Sequence, residues 1–463
     1  MSKGCAVVWV APSAEVMEDD PQRSNICRGQ ADESVLNSLC TTLATASGDT
    51  VGIVWGPGLI RMGLLSWERL SSVRSDTDAG LIYGNYWSSI GEVELLPTYT
   101  GSLRAEFDTG PLWLVGKKHL ASAVRDLPPN LTTLEAIRYG LRLGLMRRAG
   151  SVWIPEPLCS TTHARIDDIF GYVRTDALEK QREFESVLTD HLVKINALLP
   201  PRGKPYVDTT VYPVKATVVI PVRNRERTIK DAVRSALSQK TTFPFNVVVV
   251  DNHSTDVTGR EARSAANGDE RFQILTPPGE GFGIGGCWNL AARSSAAGRY
   301  LVQLDSDDVY ASTEAVQTLI NLIDQGPWAM AVGGYRTVDM NGIEVPPGDV
   351  VHAEWTERNG HNNLLRVSGV GAPRVLSTGF LRENPMPNVS YGEDYAVALR
   401  VSRTYRVARY FGVLYYARRW EGNTDHDVSA TTARSRESYK DQLRTIELEA
   451  RRALLRARDG HVE

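Results

Sequence analysis

The stretch ATVVIPVRNRERTIKDAVRSALSQKTTFPFNVVVVDNHSTD, residues 216–256, has the pattern of a βαβ unit. It predicts a strand at 216–220, a helix at 228–239 and a second strand at 246–250. Both strands are near-continuous apolar runs, which is typical of a parallel sheet covered on both faces. The pattern continues with a helix at 258–267, a strand at 272–275, a helix at 288–295 and a strand from Leu301. The sequence therefore predicts an α/β fold with a Rossmann-like sheet.

An acidic turn follows the last of these strands, in Leu-Val-Gln-Leu-Asp-Ser-Asp-Asp, residues 301–308. Ligands of open α/β sheets bind beyond the carboxyl ends of the strands, so Asp305, Asp307 and Asp308 are expected to face a substrate. Their oxygens suit a hard cation such as Mg²⁺ or Mn²⁺, which would neutralise the diphosphate of a departing nucleotide. The alternative is an acidic turn that caps a helix starting near Ser312.

Composition narrows the class of protein. A chain of 463 residues is too long for one ordinary core, and its 42% hydrophobic and 23% charged residues are typical of globular domains. A formal charge of -3 gives no reason to expect nucleic-acid binding. The five cysteines form no Cys-x-x-Cys pair, which argues against a zinc site or a disulfide framework. With no signal peptide and no membrane-spanning apolar run, we expect a cytoplasmic protein without a transmembrane segment, and a homo-oligomer is compatible with these features.

Three parts are predicted along the chain. Prolines between residues 199 and 214 interrupt the pattern and indicate a linker. We therefore expect an N-terminal α/β domain at 1–205, a second α/β domain at 214–428 and a helical tail at 429–463. Apolar residues three or four apart predict that the tail helix packs on the protein. These residues are Tyr439, Leu443, Ile446, Ala450 and Leu454.

Three short stretches of the first domain are similar in sequence to stretches of the second. Each pair of stretches repeats apolar, glycine or charged residues at similar spacing. The pairs are residues 80–87 with 331–336, 110–114 with 371–376, and 135–142 with 393–400. Where the second domain has its acidic turn, the first has Val-Trp-Gly-Pro-Gly at 54–58, without a carboxylate. We hypothesise an internal duplication whose first copy is degenerate, and chance similarity is the alternative.

Four motifs carry a resemblance to a known family. They are Pro-x-x-Asn at 221–224, Asp followed by Ser-Thr-Asp at 251–256, Asp-x-Asp-Asp at 305–308, and Gly-Glu-Asp at 392–394. In this order, residues 216–426 resemble the family 2 glycosyltransferases of the GT-A fold. The resemblance implies an inverting, metal-dependent enzyme that moves a sugar from a nucleotide-sugar donor to an acceptor hydroxyl by single displacement. It favours a UDP-sugar as donor and Mn²⁺ or Mg²⁺ as cofactor.

The resemblance assigns donor-binding roles near the first strand ends. Asp251 would accept a hydrogen bond from uracil N3–H, with an aspartate that only stabilises the turn as the alternative. Pro221 and Asn224 would shape the first turn around the base. Arg223 or Arg227 would meet the diphosphate, and each is otherwise a solvated residue at a helix start.

The glycine-rich run at 279–286 would let the backbone approach the ribose and diphosphate closely. The resemblance assigns Gly281, Gly283 and Asn289 to the donor side, and a mobile loop is the alternative. The run also satisfies Gly-x-Gly-x-x-Gly, with Asp305 placed 19 residues after its last glycine, as in dinucleotide-binding enzymes. Because it follows the third strand of this half rather than the first, a hydride-transfer enzyme is disfavoured.

Asp394 is the candidate general base, since displacement at the anomeric carbon removes one acceptor proton. It begins a predicted helix whose dipole favours the charged carboxylate, so geometry must make it effective. Glu393 is expected to orient the acceptor or a loop, and the alternative for both is that they are ordinary first-turn helix acids. Asp305 is assigned to the ribose or the metal, and Asp307 is the better metal ligand.

The segment 415–426 is expected to close the site, and its Arg419 and Trp420 are assigned to donor binding. Arg419 and Trp420 match the Arg-Trp of the Gln-x-x-Arg-Trp motif in processive polysaccharide synthases, but Tyr416 replaces the glutamine, which disfavours a processive polymerase. His426 is a candidate metal or phosphate ligand, with a solvated turn residue as the alternative.

Two other functional classes are considered. A sugar-nucleotide pyrophosphorylase would carry a glycine-rich signature with Arg and Lys directly after the first strand, where this chain has Pro-Val-Arg-Asn. A non-catalytic carbohydrate-binding protein built from transferase-like folds would suit the first domain but not the intact acidic set of the second.

Overall fold

The computed structural model describes residues 6–10, 26–28, 39–40, 43–44, 48–55, 60–162, 178–201, 203–421, 423 and 428–459. The chain divides into two compact units. The first comprises Met1–Gly171, Ala177–Leu198 and Arg452–Glu463, and the second comprises Tyr172–Asp176 and Leu199–Arg451. Each unit contains a mixed β-sheet with helices, which confirms the predicted α/β class.

The first unit is built on one sheet. Its strands are β1 (Ala6–Val10), β2 (Ile26–Arg28), β3 (Thr50–Trp55), β4 (Ile60–Met62), β5 (Leu81–Ser88), β6 (Gly91–Val93), β7 (Leu112–Gly116) and β8 (Ser151–Thr161). Its helices are α1 (Ser66–Thr77), α2 (Lys117–Arg125), α3 (Leu134–Ala149) and α4 (Leu178–Lys194). The strand order is β2-β1-β3-β7-β5-β8-β4, with β6 paired to β5.

The second unit is built on a larger sheet. Its strands are β9 (Ala216–Val222), β10 (Phe245–Asp251), β11 (Phe272–Leu275), β12 (Tyr300–Gln303), β13 (Val309–Tyr310), β14 (Met330–Asp339), β15 (Glu344–Val350), β16 (Arg374–Ser377) and β17 (Val407–Arg419). Its helices are α5 (Ile229–Leu237), α6 (Thr258–Ala266), α7 (Ile284–Arg293), α8 (Ala315–Asp324), α9 (Gly360–Asn363), α10 (Thr378–Glu383) and α11 (Glu393–Thr404), and α12 (Ala430–Asp459) forms the tail. The strand order is β11-β10-β9-β12-β16-β14-β17-β13, with β15 paired to β14.

The two sheets share one connectivity. Strands β1–β8 correspond in order to β9, β10 and β12–β17, and β11 has no counterpart among the described strands of the first unit. The directions also agree: β1 and β9 each lie parallel to both neighbours, and β7 and β16 each lie antiparallel to both neighbours.

The core of the second unit determines where its site lies. The apolar strands predicted from the sequence are buried at the centre, and their buried residues include Val218, Ile220, Val247, Val249 and Val302. Because β10, β9 and β12 are parallel neighbours, their carboxyl ends meet at one edge of the sheet. That edge carries Asp251 and the acidic turn.

The tail forms the predicted helix, and Tyr439 and Leu443 of the predicted apolar stripe lie beside Gly392, but charged side chains make up most of its buried face. Ile446 is 65% exposed. The buried residues of this helix are mostly charged. They are Lys440, Asp441, Arg444, Glu447 and Arg451, together with the apolar Leu448. Within the described residues, no helix combines the length and the apolar character that crossing a membrane requires.

Candidate functional site

The turns after β9 and β10 are tied to each other. Asn224 has a φ of 53°, a left-handed conformation that asparagine tolerates. Its Oδ1 accepts a hydrogen bond from Thr255 N at 2.8 Å, and its backbone N donates to Ser254 Oγ at 2.9 Å. Asp251 accepts a hydrogen bond from Ser254 N at 3.0 Å through Oδ1. The predicted donor residues Asn224 and Asp251 therefore share one polar surface, with Pro221 beside them in β9.

The glycine-rich loop is held by neighbouring backbone. Gly281 has a φ of 82° and open space at its Cβ position, so its conformation alone requires glycine. A Cβ on Gly283 would lie 2.4 Å from the carbonyl carbon of Val389, so Gly283 serves chain packing at this position. The Asn289 side chain donates to Met386 O at 2.8 Å and accepts from Met386 N at 2.9 Å. The amide group of Asn289 holds this backbone, and its donor-binding role stays a prediction.

Two carboxylates of the acidic turn lie near polar partners at the sheet edge. Asp305 accepts hydrogen bonds from Gln303 Nε2 at 3.1 Å through both oxygens. Burial, with a smaller contribution from the charge of Asp307, raises the pKa of Asp305 to about 6. Asp307 Oδ2 accepts a hydrogen bond from Trp420 Nε1 at 3.4 Å and lies 3.9 Å from Arg225 Nε.

Asp308 has a different environment. Its Oδ1 accepts a hydrogen bond from the backbone N of Arg418 at 2.7 Å, and burial, then the charges of Asp307 and Asp305, raise its pKa well above the usual range. Arg418 is itself buried and forms an ion pair with Asp231 at 2.9 Å. Asp308 thus uses Oδ1 for a hydrogen bond with the backbone of β17, and its role as a metal ligand stays a prediction.

Three of the four predicted metal ligands, Asp305, Asp307 and Asp308, lie together in the acidic turn. Within the part of the chain that the structure describes, no three His, Cys, Asp or Glu side chains are grouped so that they could hold a metal ion. His426 lies outside the described residues. Asp305 and Asp307 still fit a hard divalent cation, because they present oxygen ligands and repel each other in a way that a cation would relieve.

Helix α11 begins with the two candidate catalytic acids. Asp394 Oδ1 accepts a hydrogen bond from Tyr395 N at 2.7 Å, and Oδ2 forms an ion pair with Arg374 Nη2. Glu393 is buried, and its Oε2 has no hydrogen-bond partner among the described residues. Burial, then the charge of Asp394, raises the pKa of Glu393 to about 8. Glu393 is therefore protonated at neutral pH, whereas Asp394 is paired with an arginine.

Arg374 connects Asp394 to the acidic turn. Its Nη1 donates to Gln303 Oε1 at 2.8 Å, and Gln303 in turn donates to Asp305. The chain Asp394–Arg374–Gln303–Asp305 thus links the ends of β12 and β16. Our sequence analysis missed Arg374 and Gln303. The available signal was a glutamine at the end of one short apolar strand and an arginine at the start of another.

Trp420 lies beside the acidic turn, with two arginines over its ring. The guanidinium carbons of Arg225 and Arg227 lie 6.0 and 5.3 Å from the ring centroid. Both arginines that were predicted to meet the diphosphate, Arg223 and Arg227, are exposed, and of the two Arg227 lies over the Trp420 ring. Arg225 was missed by our sequence analysis. Arg419, predicted with Trp420 to bind the donor, pairs with Asp339 in the β14–β17 ladder, and its role stays a prediction.

Residues 217–380 match the family model described as Glycosyl transferase family 2. This segment is a family 2 glycosyltransferase domain. It contains the first turn, the acidic turn and Arg374, while Asp394 and Trp420 follow it in the same unit.

The glycosyltransferase domain is similar to several known proteins. An uncharacterized glycosyltransferase of Rickettsia felis is 25% identical over 194 residues, which are 42% of this chain and 31% of that protein. The Escherichia coli UDP-Glc:alpha-D-GlcNAc-diphosphoundecaprenol beta-1,3-glucosyltransferase WfgD is 27% identical over 189 residues, 40% of this chain and 68% of the relative. A solved structure of S. aureus TarS 1–349 in complex with UDP-GlcNAc is 22% identical, covers 51% of this chain and 72% of that chain, and has a TM-score of 0.39. The match therefore spans less than a third of the Rickettsia relative.

Proposed function

We propose that this protein is an inverting glycosyltransferase that moves a sugar from a nucleoside-diphosphate donor, preferably a UDP-sugar, to an acceptor hydroxyl. The observation that carries this proposal is the chain Asp394–Arg374–Gln303–Asp305, which joins a candidate base to a donor-side carboxylate at one sheet edge. The family 2 domain supports the same chemistry.

On the donor side, the nucleobase of the donor would lie against the turns that carry Asn224 and Asp251. Asp305 and Asp307 would hold Mn²⁺ or Mg²⁺, which when bound supplies charge neutralisation for the leaving diphosphate. Arg225 lies 3.9 Å from Asp307 and Arg227 lies over the Trp420 ring, and we infer that both guanidinium groups would contact the same diphosphate.

On the acceptor side, Asp394 takes the hydroxyl proton. The hydroxyl oxygen bonds to the anomeric carbon while the bond from that carbon to the diphosphate oxygen breaks, and the nucleoside diphosphate leaves with the electron pair. One displacement of this kind inverts the anomeric configuration. Arg374 keeps the Asp394 carboxylate oriented, and Glu393, whose raised pKa favours the protonated form at neutral pH, does not act as a second base.

The test is release of UDP from candidate UDP-sugars in the presence of Mn²⁺ and candidate acceptors. Asp307→Ala should lose metal-dependent UDP affinity while its thermal unfolding stays that of the wild type. Glu383→Ala, which removes an exposed carboxylate of α10, is the matched control and should bind UDP normally. Undiminished Mn²⁺-dependent UDP affinity in Asp307→Ala would show that the metal assignment is wrong.

The same assay separates the two competing classes. A pyrophosphorylase would form a nucleotide-sugar from a nucleoside triphosphate and a sugar phosphate and would release pyrophosphate. A carbohydrate-binding protein would bind a glycan without turnover of any nucleotide-sugar.

A further inference from the structure

The strand pairing aligns the two sheets residue by residue. One row of paired residues sets the register in each sheet: Leu81–Val115–Val51 in the first unit and Met330–Leu376–Leu301 in the second. Counting along the strands from this row places Trp55 of β3 where the second unit has Asp305. The same count places Trp113 of β7 where it has Arg374.

Local geometry supports this alignment. Gly110 and Gly371, which precede the two aligned positions by three residues, have φ values of 68° and 78°. Trp113 Nε1 donates to the carbonyl four residues earlier at 3.2 Å, and Arg374 Nε does the same at 2.5 Å. Two segments of the chain that differ in their side chains therefore make the same turn and the same backbone contact.

The aligned positions hold different chemistry. Trp55 and Trp113 are 2% and 0% exposed, and their ring centroids are 4.8 Å apart in an edge-to-face pair. Arg138 of α3 lies over both rings, at 5.5 and 5.4 Å, and donates to Gly110 O at 2.7 Å. A guanidinium group also reaches the equivalent carbonyl in the second unit, where it comes from Arg374.

We propose that the first unit is a second copy of the transferase fold whose reaction centre is filled by the Trp55–Trp113 pair. The carboxylate that would approach a metal and the arginine that would orient a base are both replaced by indole rings. Glu135, which echoes Glu393 in the sequence, forms a partly exposed ion pair with Lys180 at 2.6 Å. The chain then has one site for a nucleoside diphosphate, in the second unit, and this part of the inference rests on the proposed function.

The first experiment tests whether the rings of Trp55 and Trp113 fill the position that corresponds to the reaction centre in the first unit. It does not depend on the proposed function. In the full chain, Trp113→Ala should lower the unfolding temperature by about 6 °C or more, because it empties a close-packed position. Trp87→Ala is the control, since Trp87 of the same unit is 47% exposed, and it should change the unfolding temperature little. Equal small effects would overturn the inference. If Trp113→Ala fails to fold, Trp113→Phe should give a smaller loss in the same direction, and no loss would overturn it.

The second experiment counts binding sites by calorimetry with UDP and Mn²⁺. Wild-type protein should bind one equivalent, and Asp307→Ala should bind none. Two equivalents, or a saturable site that survives in Asp307→Ala and is lost in Trp55→Ala, would overturn the inference. If wild-type protein binds no UDP, the proposed function fails, and the thermal unfolding of the tryptophan variants alone decides whether the centre is filled.

Discussion

Arg374 joins the two carboxylates on which the proposed reaction depends. Its guanidinium contacts Asp394 and Gln303, and it also donates to Val370 O and Gly371 O. A lysine could not make all of these contacts, because its three donors come from one point rather than from a planar fork. Arg374 is thus a positioning residue that acts on the reaction through Asp394.

Replacing Arg374 should therefore impair the chemical step more than donor binding. We expect Arg374→Met to lower kcat by about 10²-fold while the Kd for UDP changes little. The reason is that Arg374 contacts Asp394 rather than the turns after β9 and β10, which are proposed to bind the nucleotide. Steady-state kinetics and calorimetry would measure the two quantities. Arg234→Met, at an exposed arginine of α5, is the control. A large loss of UDP affinity with unchanged kcat would contradict the positioning role.

Asp394→Asn keeps the shape of the side chain and removes its basicity. Transfer should fall by about 10²-fold or more, while donor affinity stays near that of the wild type. Ordinary turnover by this variant would exclude Asp394 as the base.

Glu393 should make stability depend on pH. Its folded-state pKa is raised from 4.5 to about 8, so its contribution to stability is complete below about pH 4.5 and is lost as the pH rises through 8. Glu393→Gln resembles the protonated form. The wild type should match this variant near pH 5 and become less stable than the variant at pH 9, by an amount on the order of a few kcal/mol. Thermal unfolding from pH 5 to 9, with Glu383→Gln as control, measures the difference, and parallel profiles would show that Glu393 is ionised throughout.

The tail helix α12 packs on the second unit through charged side chains. Arg444 pairs with Asp441 at 2.7 Å, donates to Tyr395 OH at 2.9 Å and donates to Val367 O at 3.0 Å, and neither charged side chain is exposed. Tyr395 directly follows Asp394, so the tail supports the start of the helix that carries the candidate base. At the other end of that helix, Arg403 forms an ion pair with Glu447 of α12 at 2.6 Å.

Removing only one partner of a buried ion pair such as Arg444–Asp441 destabilises the folded state. Arg444→Met should reduce the free energy of unfolding by about 3–5 kcal/mol, because the Asp441 carboxylate would stay buried after losing its ion pair with Arg444. Adding Asp441→Leu should recover part of the loss. Arg456→Met, at an exposed position of the same helix, should stay within about 0.5 kcal/mol of the wild type in denaturant unfolding. A loss in Arg456→Met equal to that in Arg444→Met would mean that burial of the pair is not the cause.

Across the whole chain, one strand connectivity occurs twice with different chemistry at its centre. Hydrogen exchange of the full chain should show this difference directly. UDP with Mn²⁺ should slow exchange in peptides covering residues 221–227 and 305–308, and should leave peptides covering β3 and β7 unchanged, because only the second unit would bind the nucleotide. Protection of β3 or β7 comparable to that at residues 305–308 would contradict a single binding site.

The sequence by itself determined the first elements of the second unit, although the helix predicted at 288–295 begins four residues after the start of α7. The strand predicted at 272–275 is β11, the strand at 246–250 differs from β10 by one residue at each end, and the helix at 258–267 ends one residue beyond α6. These elements are encoded locally, in apolar runs and in the spacing of apolar residues along a helix, so one stretch of chain suffices to predict them. The polar residues at the strand ends could be selected for the same reason, because strand direction in a parallel sheet places their ends together.

Only the tertiary structure decided what those polar residues contact. Asp308 and Asn289 were predicted as ligand-binding residues, and the fold adds contacts that the sequence did not show, with the backbone at Arg418 and Met386. Arg374 lies 71 residues from Gln303 in the chain, and nothing in either stretch shows that they pair. The charged contact face of α12 was missed for the same reason: a helix with both apolar and charged stripes can bury either one, and the partners that choose between them are distant in sequence.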